Sequence, residues 1–198
     1  EALSFIERWS DTCARITPIL GPHAAYTCSD KLLKTCAQEA RRLSVMLHMH
    51  FAENHYELTV MKQRTGTTTA RHLEKMDFFR SNRVISAHSL FLTDNDLNLL
   101  KKHDFHAVVC IPGKMNRGHG IVDLTRLMDA GLNVCLGTDG SASDNLDLLA
   151  GMKIAHISQN YLNKQVCSLS PETIIEMATL NGAKALKWKT SRLSPGFL

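Results

Sequence analysis

One segment decides the fold of this chain: VMLHMHFAE, residues 45–53. Its first part is a short apolar run with the length and composition of a buried strand. His50 stands at the end of that run, and Glu53 follows three residues later. A helical pattern then extends from about Asn54 to Arg64, so the segment opens a strand–helix unit. Such a unit belongs to a parallel sheet and carries its polar groups at the carboxyl end of the strand.

The same unit recurs along the chain. Each of five strand-like runs is followed by a helical pattern, and the runs occupy residues 15–20, 45–51, 84–87, 107–111 and 132–137. Their near-continuous apolar character indicates strands that are buried on both faces. Two architectures fit this order, an open doubly wound sheet and part of a (β/α)₈ barrel. The glycine-rich first turn that is typical of the open sheet is absent.

A complete barrel needs about 250 residues, whereas this chain has 198. We therefore predict an α/β fold in which residues 1–198 form a single partial (β/α)₈ TIM barrel domain, covering about strands four to eight. Two local expectations accompany this prediction. Residues 1–14 should end an amphipathic helix, and a loop rich in glycine and asparagine should follow Ile111.

The composition limits the kinds of molecule that this protein is expected to bind. The net charge is +4, and the 23 basic residues are scattered among 19 acidic ones, so a nucleic-acid surface is not expected. No apolar run approaches the roughly 20 residues of a membrane helix, and no secretory signal is recognised at the start. The six cysteines are far apart and form no C-x-x-C pair, which favours a reducing, cytoplasmic setting. The expected partner is a small-molecule substrate, and a homo-oligomer is left open.

Polar groups stand where a barrel would carry its chemistry, at the carboxyl ends of strands. Four of the five predicted strands end in a group that can bind a metal or move a proton: His23, His50, His88 and Asp139. The strand that ends near Cys110 is the exception. Taken singly, each group has an ordinary structural explanation, such as a turn at Asp139 or a helix start at Glu53. Together they predict an active site at one end of the sheet.

Four segments carry a resemblance to a known family: GPHAAYTC at 21–28, HMHFAE at 48–53, SAH at 86–88 and LGTDGSASDN at 136–145. The first resembles the Gly-Pro-His-x-x-Tyr-x-Cys segment of the S-adenosylhomocysteine and methylthioadenosine deaminases and their relatives. The other three resemble the strand-five His-x-His-x-x-Glu, the strand-six histidine and the strand-eight aspartate of the amidohydrolase superfamily. Closest in these motifs is the group that contains S-adenosylhomocysteine and methylthioadenosine deaminases, guanine deaminases and triazine chlorohydrolases. The resemblance runs in the right order over about residues 15–198.

The resemblance implies a role for each strand-end group. His50 and Asp139 would bind one divalent metal ion, zinc being the first choice, with iron or manganese also acceptable. Asp139 would in addition act as a base toward the metal-bound water. Glu53 would contact the substrate and relay a proton to the leaving amine. His88 would hold the water or the tetrahedral intermediate, and His23 would contact the substrate.

The activity implied by the resemblance is hydrolytic deamination of a purine-type ring, adenosine-like or guanine-like, through a metal-bound hydroxide. Two alternatives stay open. One is a triazine-type chlorohydrolase or amine hydrolase of the same superfamily. The other is a non-catalytic remnant or interaction module that lacks a complete metal site.

Three departures from the family pattern bear on these expectations. No segment upstream of His23 contains the strand-one His-x-His, which supplies two metal ligands in the family. The strand-seven segment His-Asn-Pro-x-Ser-Asn is replaced by CIPGKMN at residues 110–116, which leaves the substrate class open. The loop after Asp139 is one residue shorter than usual. A further expectation concerns His48, which should face the opposite side of its strand from His50.

Overall fold

The computed structural model describes residues 1–10, 12–13, 16–143 and 146–190. The start of the first expected strand, two residues of the loop after Asp139 and the last eight residues lie outside these ranges. The strands are β1 (Leu47–Phe51), β2 (Arg83–His88), β3 (Asp104–Val109) and β4 (Asn133–Leu136). The helices are α1 (Ala2–Trp9), α2 (Asp30–Leu43), α3 (His55–Thr65), α4 (Thr69–Glu74), α5 (Asp94–Leu100), α6 (Ile111–Asn116), α7 (Leu124–Asp129), α8 (Leu148–Asn163), α9 (Pro171–Ala178) and α10 (Leu180–Leu186).

The described strands form one sheet in which β1, β2, β3 and β4 lie side by side in chain order, and every pair is parallel. An open doubly wound sheet reverses its strand order at a switch point. No reversal occurs among these four strands, and helices follow each of them. This is the order of consecutive units of a (β/α)₈ barrel.

The first expected strand is present only in part. Residues 16–20 form no strand, but isolated parallel bridges join Leu20 to Leu47 and Ala24 to His50. Pro18 lies inside this segment and Pro22 follows it, and neither proline has a backbone N–H to give to a ladder. The prediction of a regular strand over residues 15–20 is therefore wrong, although the segment does run alongside β1.

The two faces of the sheet have different partners. Side chains alternate along a strand with a period of two residues. Leu47, Met49 and Phe51 enter the core between sheet and helices, whereas His48 and His50 both border a cavity on the opposite face. The expectation that His48 faces away from His50 is wrong, because residues two apart on a strand point the same way.

Local signals explain most helix boundaries. Ser29 caps α2 by accepting a hydrogen bond from the backbone N–H of Leu32. Thr93 and Asp96 form a reciprocal capping box at the start of α5. The first helix ends at Trp9, earlier than expected. Among the described residues no helix is both long and apolar enough to cross a membrane.

The segment after Cys110 corrects a prediction. It was expected to be a loop, but residues 111–116 form the short helix α6. Pro112 stands in the first turn, where a helix tolerates proline because that N–H would be unpaired in any case. The helix brings Lys114 back toward the sheet, and that lysine is buried.

Candidate active site

The carboxyl ends of the strands surround a cavity of about 530 Å³. Its lining includes the four strand-end groups predicted from the sequence: His23, His50, His88 and Asp139. His48 and Cys110 also line it. The rings of His23 and His50 have centroids 4.6 Å apart, and those of His50 and His88 are stacked at 5.4 Å. The structure thus brings the predicted groups together at one end of the sheet.

His50 is oriented by the backbone of the preceding segment. Its Nδ1 lies 2.9 Å from the carbonyl oxygen of His23, to which it donates a hydrogen bond. This arrangement leaves the lone pair on Nε2, which is the tautomer that a metal-binding histidine adopts. The bridge between Ala24 and His50 holds the same two segments in register.

Glu53 lies between two groups that can carry positive charge. Lys114 donates a hydrogen bond from Nζ to Oε1 of Glu53 over 2.5 Å, and His88 Nε2 is 3.6 Å from the same oxygen. Burial alone would raise the pKa of Glu53, but the hydrogen bond from Lys114 and the positive charge of its ammonium lower it overall. Glu53 is therefore a carboxylate near neutral pH.

His88 is almost completely buried. Burial, together with the nearby ammonium of Lys114, lowers the pKa of His88 to about 4. The imidazole is therefore neutral near pH 7. Its Nδ1 is buried and has no hydrogen-bond partner among the described residues.

A second glutamate, Glu57, holds the backbone that carries Glu53. Glu57 is fully buried and accepts hydrogen bonds from the backbone N–H groups of Ala52 and Glu53, at 3.0 and 2.8 Å. The hydroxyl of Thr69 donates a third, at 2.6 Å. Ala52 adopts a left-handed φ of 47°, a strained conformation for a residue with a side chain. The bonds to Glu57 keep this turn in place.

Asp139 is also fixed by its neighbours. Its Oδ1 accepts the backbone N–H of Gly140 at 2.7 Å, and its Oδ2 accepts the hydroxyl of Ser143 at 2.9 Å. Burial would raise the pKa of Asp139, but these hydrogen bonds lower it overall. Asp139 and His88 both have left-handed φ values, 64° and 84°. Strained backbone of this kind concentrates at functional sites.

The fit of a metal ion depends on the number of ligands. His50 has a ligand-like tautomer, and Asp139 offers carboxylate oxygens beside the same cavity. A catalytic zinc ion is normally held by at least three protein ligands. Within residues 1–10, 12–13, 16–143 and 146–190, no group of three or more His, Cys, Asp or Glu side chains could hold one. These residues therefore do not make a complete metal site.

A larger groove of about 840 Å³ lies outside the sheet and contains Thr59, Lys62 and Arg71, but none of the strand-end groups reaches it.

Cys110 occupies the strand end that lacks a histidine. Burial and the negative charge of Asp139 raise the pKa of Cys110 to about 11, so its thiol is protonated and is a poor ligand or nucleophile.

Lys114 and Glu57 were not predicted from the sequence. Lys114 lies in a segment that was expected to be a loop rich in glycine and asparagine, and no pattern connects it to Glu53, which is 61 residues away. Glu57 stands at the start of a helix, where a carboxylate usually needs no further explanation. Its role follows from the hydrogen bonds that it accepts from the backbone of the turn after Phe51.

Comparison with known proteins identifies the family. The model of the amidohydrolase family matches residues 4–198. A 5-methylthioadenosine/S-adenosylhomocysteine deaminase of Carboxydothermus hydrogenoformans is 37% identical over 188 residues, which are 94% of this chain and 43% of that protein. The chain thus spans less than half the length of this relative.

Solved structures of similar fold carry zinc. An adenosine deaminase from Xanthomonas campestris with bound zinc matches 94% of this chain and 42% of its own, with a TM-score of 0.88 and 25% identity. Atrazine chlorohydrolase from Arthrobacter aurescens TC1, complexed with zinc, matches 93% and 42%, with a TM-score of 0.83 and 25% identity. These matches confirm the prediction of a partial TIM barrel, and the chain belongs to the amidohydrolase family.

Proposed function

We propose that the full-length protein is a metal-dependent aminohydrolase that removes an amino group from a purine-type ring. The observation that carries this proposal is the convergence of His23, His50, His88 and Asp139 on one cavity, with Glu53 beside it. The similarity to a methylthioadenosine/S-adenosylhomocysteine deaminase supports the same class of substrate.

His50 and Asp139 would be two of the metal ligands, and the remaining ligands would come from outside this chain. Zinc is the first candidate because two related structures contain it. When bound, such an ion supplies an activated water at neutral pH. Glu53, a carboxylate beside His88, can receive a proton and pass it to the departing amine. Neutral His88 lines the same cavity and would hold the water or the reacting group.

The position of Glu53 favours an amine over chloride as leaving group. An amine departs only when it is protonated, whereas chloride departs without a proton. A carboxylate that is held 3.6 Å from His88, which lines the cavity, can carry a proton to a leaving amine, whereas in the second reaction it would act only on the attacking water or the ring. The triazine chlorohydrolase alternative therefore has less support, although a chlorohydrolase shares the fold.

A non-catalytic module is the second candidate, and one observation favours it. The described residues offer two metal ligands, whereas a catalytic zinc site needs at least three. This candidate predicts that the full-length protein also lacks a tight metal site. The proposal of an aminohydrolase predicts the opposite.

Metal content and ammonia release test the proposal. The full-length protein should contain about one zinc equivalent and release ammonia from at least one of adenosine, S-adenosylhomocysteine or guanine. The 198-residue chain alone should bind zinc weakly and show no turnover, because the residues that the structure describes offer only two ligands. Elemental analysis and an ammonia assay measure both. Absence of metal and of turnover in the full-length protein would favour the non-catalytic module.

The remaining expectations complete the proposal. We propose that residues 1–198 belong to one partial barrel domain and that the protein works in the cytoplasm on a small-molecule substrate. The free state of all six cysteines supports a reducing compartment. The mass of the full-length protein in solution will show whether it forms a homo-oligomer.

A further inference from the structure

The turn that follows His23 ties the ring of that histidine to a threonine on the same turn. Nδ1 of His23 lies 2.7 Å from Oγ1 of Thr27. The ring of His23 lines the cavity and lies beside that of His50, with the two centroids 4.6 Å apart. The proposed reaction takes place in this cavity but gives no role to Thr27, so the contact needs an explanation of its own.

The direction of this hydrogen bond follows from the other acceptor of the turn. The hydroxyl group of Thr27 has a single proton to donate. Its second possible acceptor is the carbonyl oxygen of Ala24, at 3.3 Å. That oxygen already accepts the backbone N–H groups of Thr27 and Cys28, at 3.3 and 3.0 Å, and a carbonyl oxygen has two lone pairs. The hydroxyl proton therefore goes to the shorter contact, and Thr27 donates to Nδ1 of His23.

This bond fixes the tautomer of His23. In a neutral imidazole one ring nitrogen carries the proton and the other is an acceptor. Because Nδ1 of His23 accepts from Thr27, its Nε2 carries the proton and is a donor. The neighbouring His50 has the opposite tautomer, since its Nδ1 donates to the carbonyl oxygen of His23 and its Nε2 keeps the lone pair. The two adjacent rings thus offer different groups to a ligand.

An arginine from the next strand–helix unit holds the turn in place. The guanidinium group of Arg64, near the end of α3, donates to the carbonyl oxygens of Ala25 and Cys28 at 3.0 and 3.3 Å. Carbonyl groups of an irregular turn need such donors, because no neighbouring strand supplies them. Thr27 lies between these two residues, so the clamp also keeps its hydroxyl group close to His23.

We propose that Thr27 is a positioning residue that places the proton of His23 on Nε2 and thereby makes this histidine a hydrogen-bond donor to the substrate. This inference rests on the proposed function and assigns one group of the cavity to an acceptor atom of the substrate. A protonated Nε2 has no lone pair for a metal ion. The same bond therefore prevents His23 from competing with His50 for the metal.

Three variants of the full-length protein test the role of Thr27. Thr27→Val keeps the branched shape of the side chain and removes the hydroxyl group. Thr27→Ser keeps the hydroxyl group and should restore the behaviour of the wild type. Thr35→Val is the matched control, because Thr35 is also exposed and its hydroxyl group donates to the carbonyl oxygen of Lys31 in its own helix, at 2.9 Å.

Steady-state kinetics should show a loss of substrate binding. Thr27→Val should raise KM for the best purine substrate by about three- to tenfold, the usual contribution of one hydrogen bond. It should leave kcat near that of the wild type, because Thr27 acts on binding through His23 and contacts no reacting atom. Thr27→Ser and Thr35→Val should keep the wild-type KM. A fall in kcat with an unchanged KM, or equal effects of Thr27→Val and Thr35→Val, would overturn the proposal.

A measurement of the tautomer needs no turnover and so separates this inference from the proposed function. Nitrogen NMR spectra of the full-length protein with isotope-labelled histidine distinguish protonated from unprotonated ring nitrogens, and His23→Gln identifies the signals of His23. The wild type should carry the proton on Nε2, and Thr27→Val should show both tautomers. A proton on Nδ1 in the wild type, or an unchanged tautomer in Thr27→Val, would contradict the role of Thr27. Absence of turnover on every purine would contradict the proposed function alone.

Arg64→Met extends the same measurement to the clamp on the turn. It removes the donors that hold the turn, so His23 should again show both tautomers. Arg126→Met is its control, because the two arginines are 37% and 38% exposed and Arg126 likewise donates to a backbone carbonyl oxygen, that of Leu92. Arg126→Met should leave the tautomer of His23 unchanged. If both variants changed it equally, the tautomer would not depend on the turn that carries Thr27, and the proposal would fail.

Discussion

Glu53 and Asp139 are both carboxylates at strand ends, yet the contacts of their side chains suit them to different roles. Glu53 contacts Lys114 and His88 through one oxygen and is free at the other among the described residues. Asp139 has each of its oxygens engaged by a neighbour, Gly140 or Ser143. The first arrangement suits a group that exchanges a proton or binds a ring. The second suits a fixed ligand.

Substitution of these two residues in the full-length enzyme should separate their roles. Glu53→Gln should lower kcat by about 10²–10⁴-fold, the usual cost of losing a general acid or base. The zinc content should stay near that of the wild type. Asp139→Asn should lower the zinc content as well as kcat, because it weakens a ligand. Elemental analysis and steady-state kinetics on the same preparations give both numbers.

The kcat of Glu53→Gln can also show that Glu53 has no part in the mechanism. If Glu53 served only to compensate the buried charge of Lys114, its replacement would lower the stability of the fold and leave turnover intact. Near-normal kcat in Glu53→Gln would support that structural role. The strongest sequence argument for deamination would then be lost.

Residues with a role at a strand end could be predicted from sequence, but residues that act through packing could not. His23, His50, His88 and Asp139 follow apolar runs, so the rule for barrel strands locates them together. Lys114 comes from α6 and meets Glu53 only after the chain has folded. Glu57 binds backbone N–H groups of a strained turn, and no residue pattern encodes a positive φ at Ala52.

At the scale of elements, periodicity and capping residues located most helices and four strands. The errors have local causes. Two prolines reduce the segment before β1 to isolated bridges. The segment after Cys110 has glycine and asparagine, which favour loops, but Pro112 begins a short helix there. Contacts with α8 stabilise the short helix α6, whose own residues have little helical propensity.

Close packing between β3 and β4 predicts a cost for a single added methyl group. A Cβ on Gly137 would stand 2.7 Å from Cγ1 of Val108 and 3.3 Å from Sγ of Cys110. Gly137→Ala should therefore lower the free energy of unfolding by about 1–3 kcal/mol, the typical cost of overpacking. Urea denaturation of the full-length protein measures this difference.

Gly182 provides the matched control for that substitution. It lies in α10, and a Cβ added there meets no atom within 4 Å. Gly182→Ala should leave stability unchanged or raise it by up to about 1 kcal/mol, since alanine favours a helix. Equal effects of the two substitutions would show that the contact with Val108 does not limit packing at Gly137.

At the scale of the whole molecule, the described sheet is open. β4 has a strand neighbour on one side only, within residues 16–143 and 146–190. The inner face carries His48, which a closed barrel would bury and which is exposed in this chain. Helix α8 also presents an apolar row to solvent, with Leu149 75%, Ile157 55% and Tyr161 78% exposed. Open edges and exposed apolar rows both favour association.

The 198-residue chain by itself should therefore self-associate. Light scattering across a range of concentrations should give a mass above the 22.1 kDa of the single chain, because strand edges pair with any available strand. Co-expression with the rest of the full-length protein should reduce this association, since the missing units would cover the edge of β4 and the inner face. Replacing Ile157 and Tyr161 with lysine serves as a control, because these changes remove the apolar row and leave the strand edges open. If this variant still associates, the association occurs through the open strand edges of the sheet. A monodisperse 22.1 kDa monomer that melts cooperatively would instead mean that four strands and their helices form a self-sufficient fold.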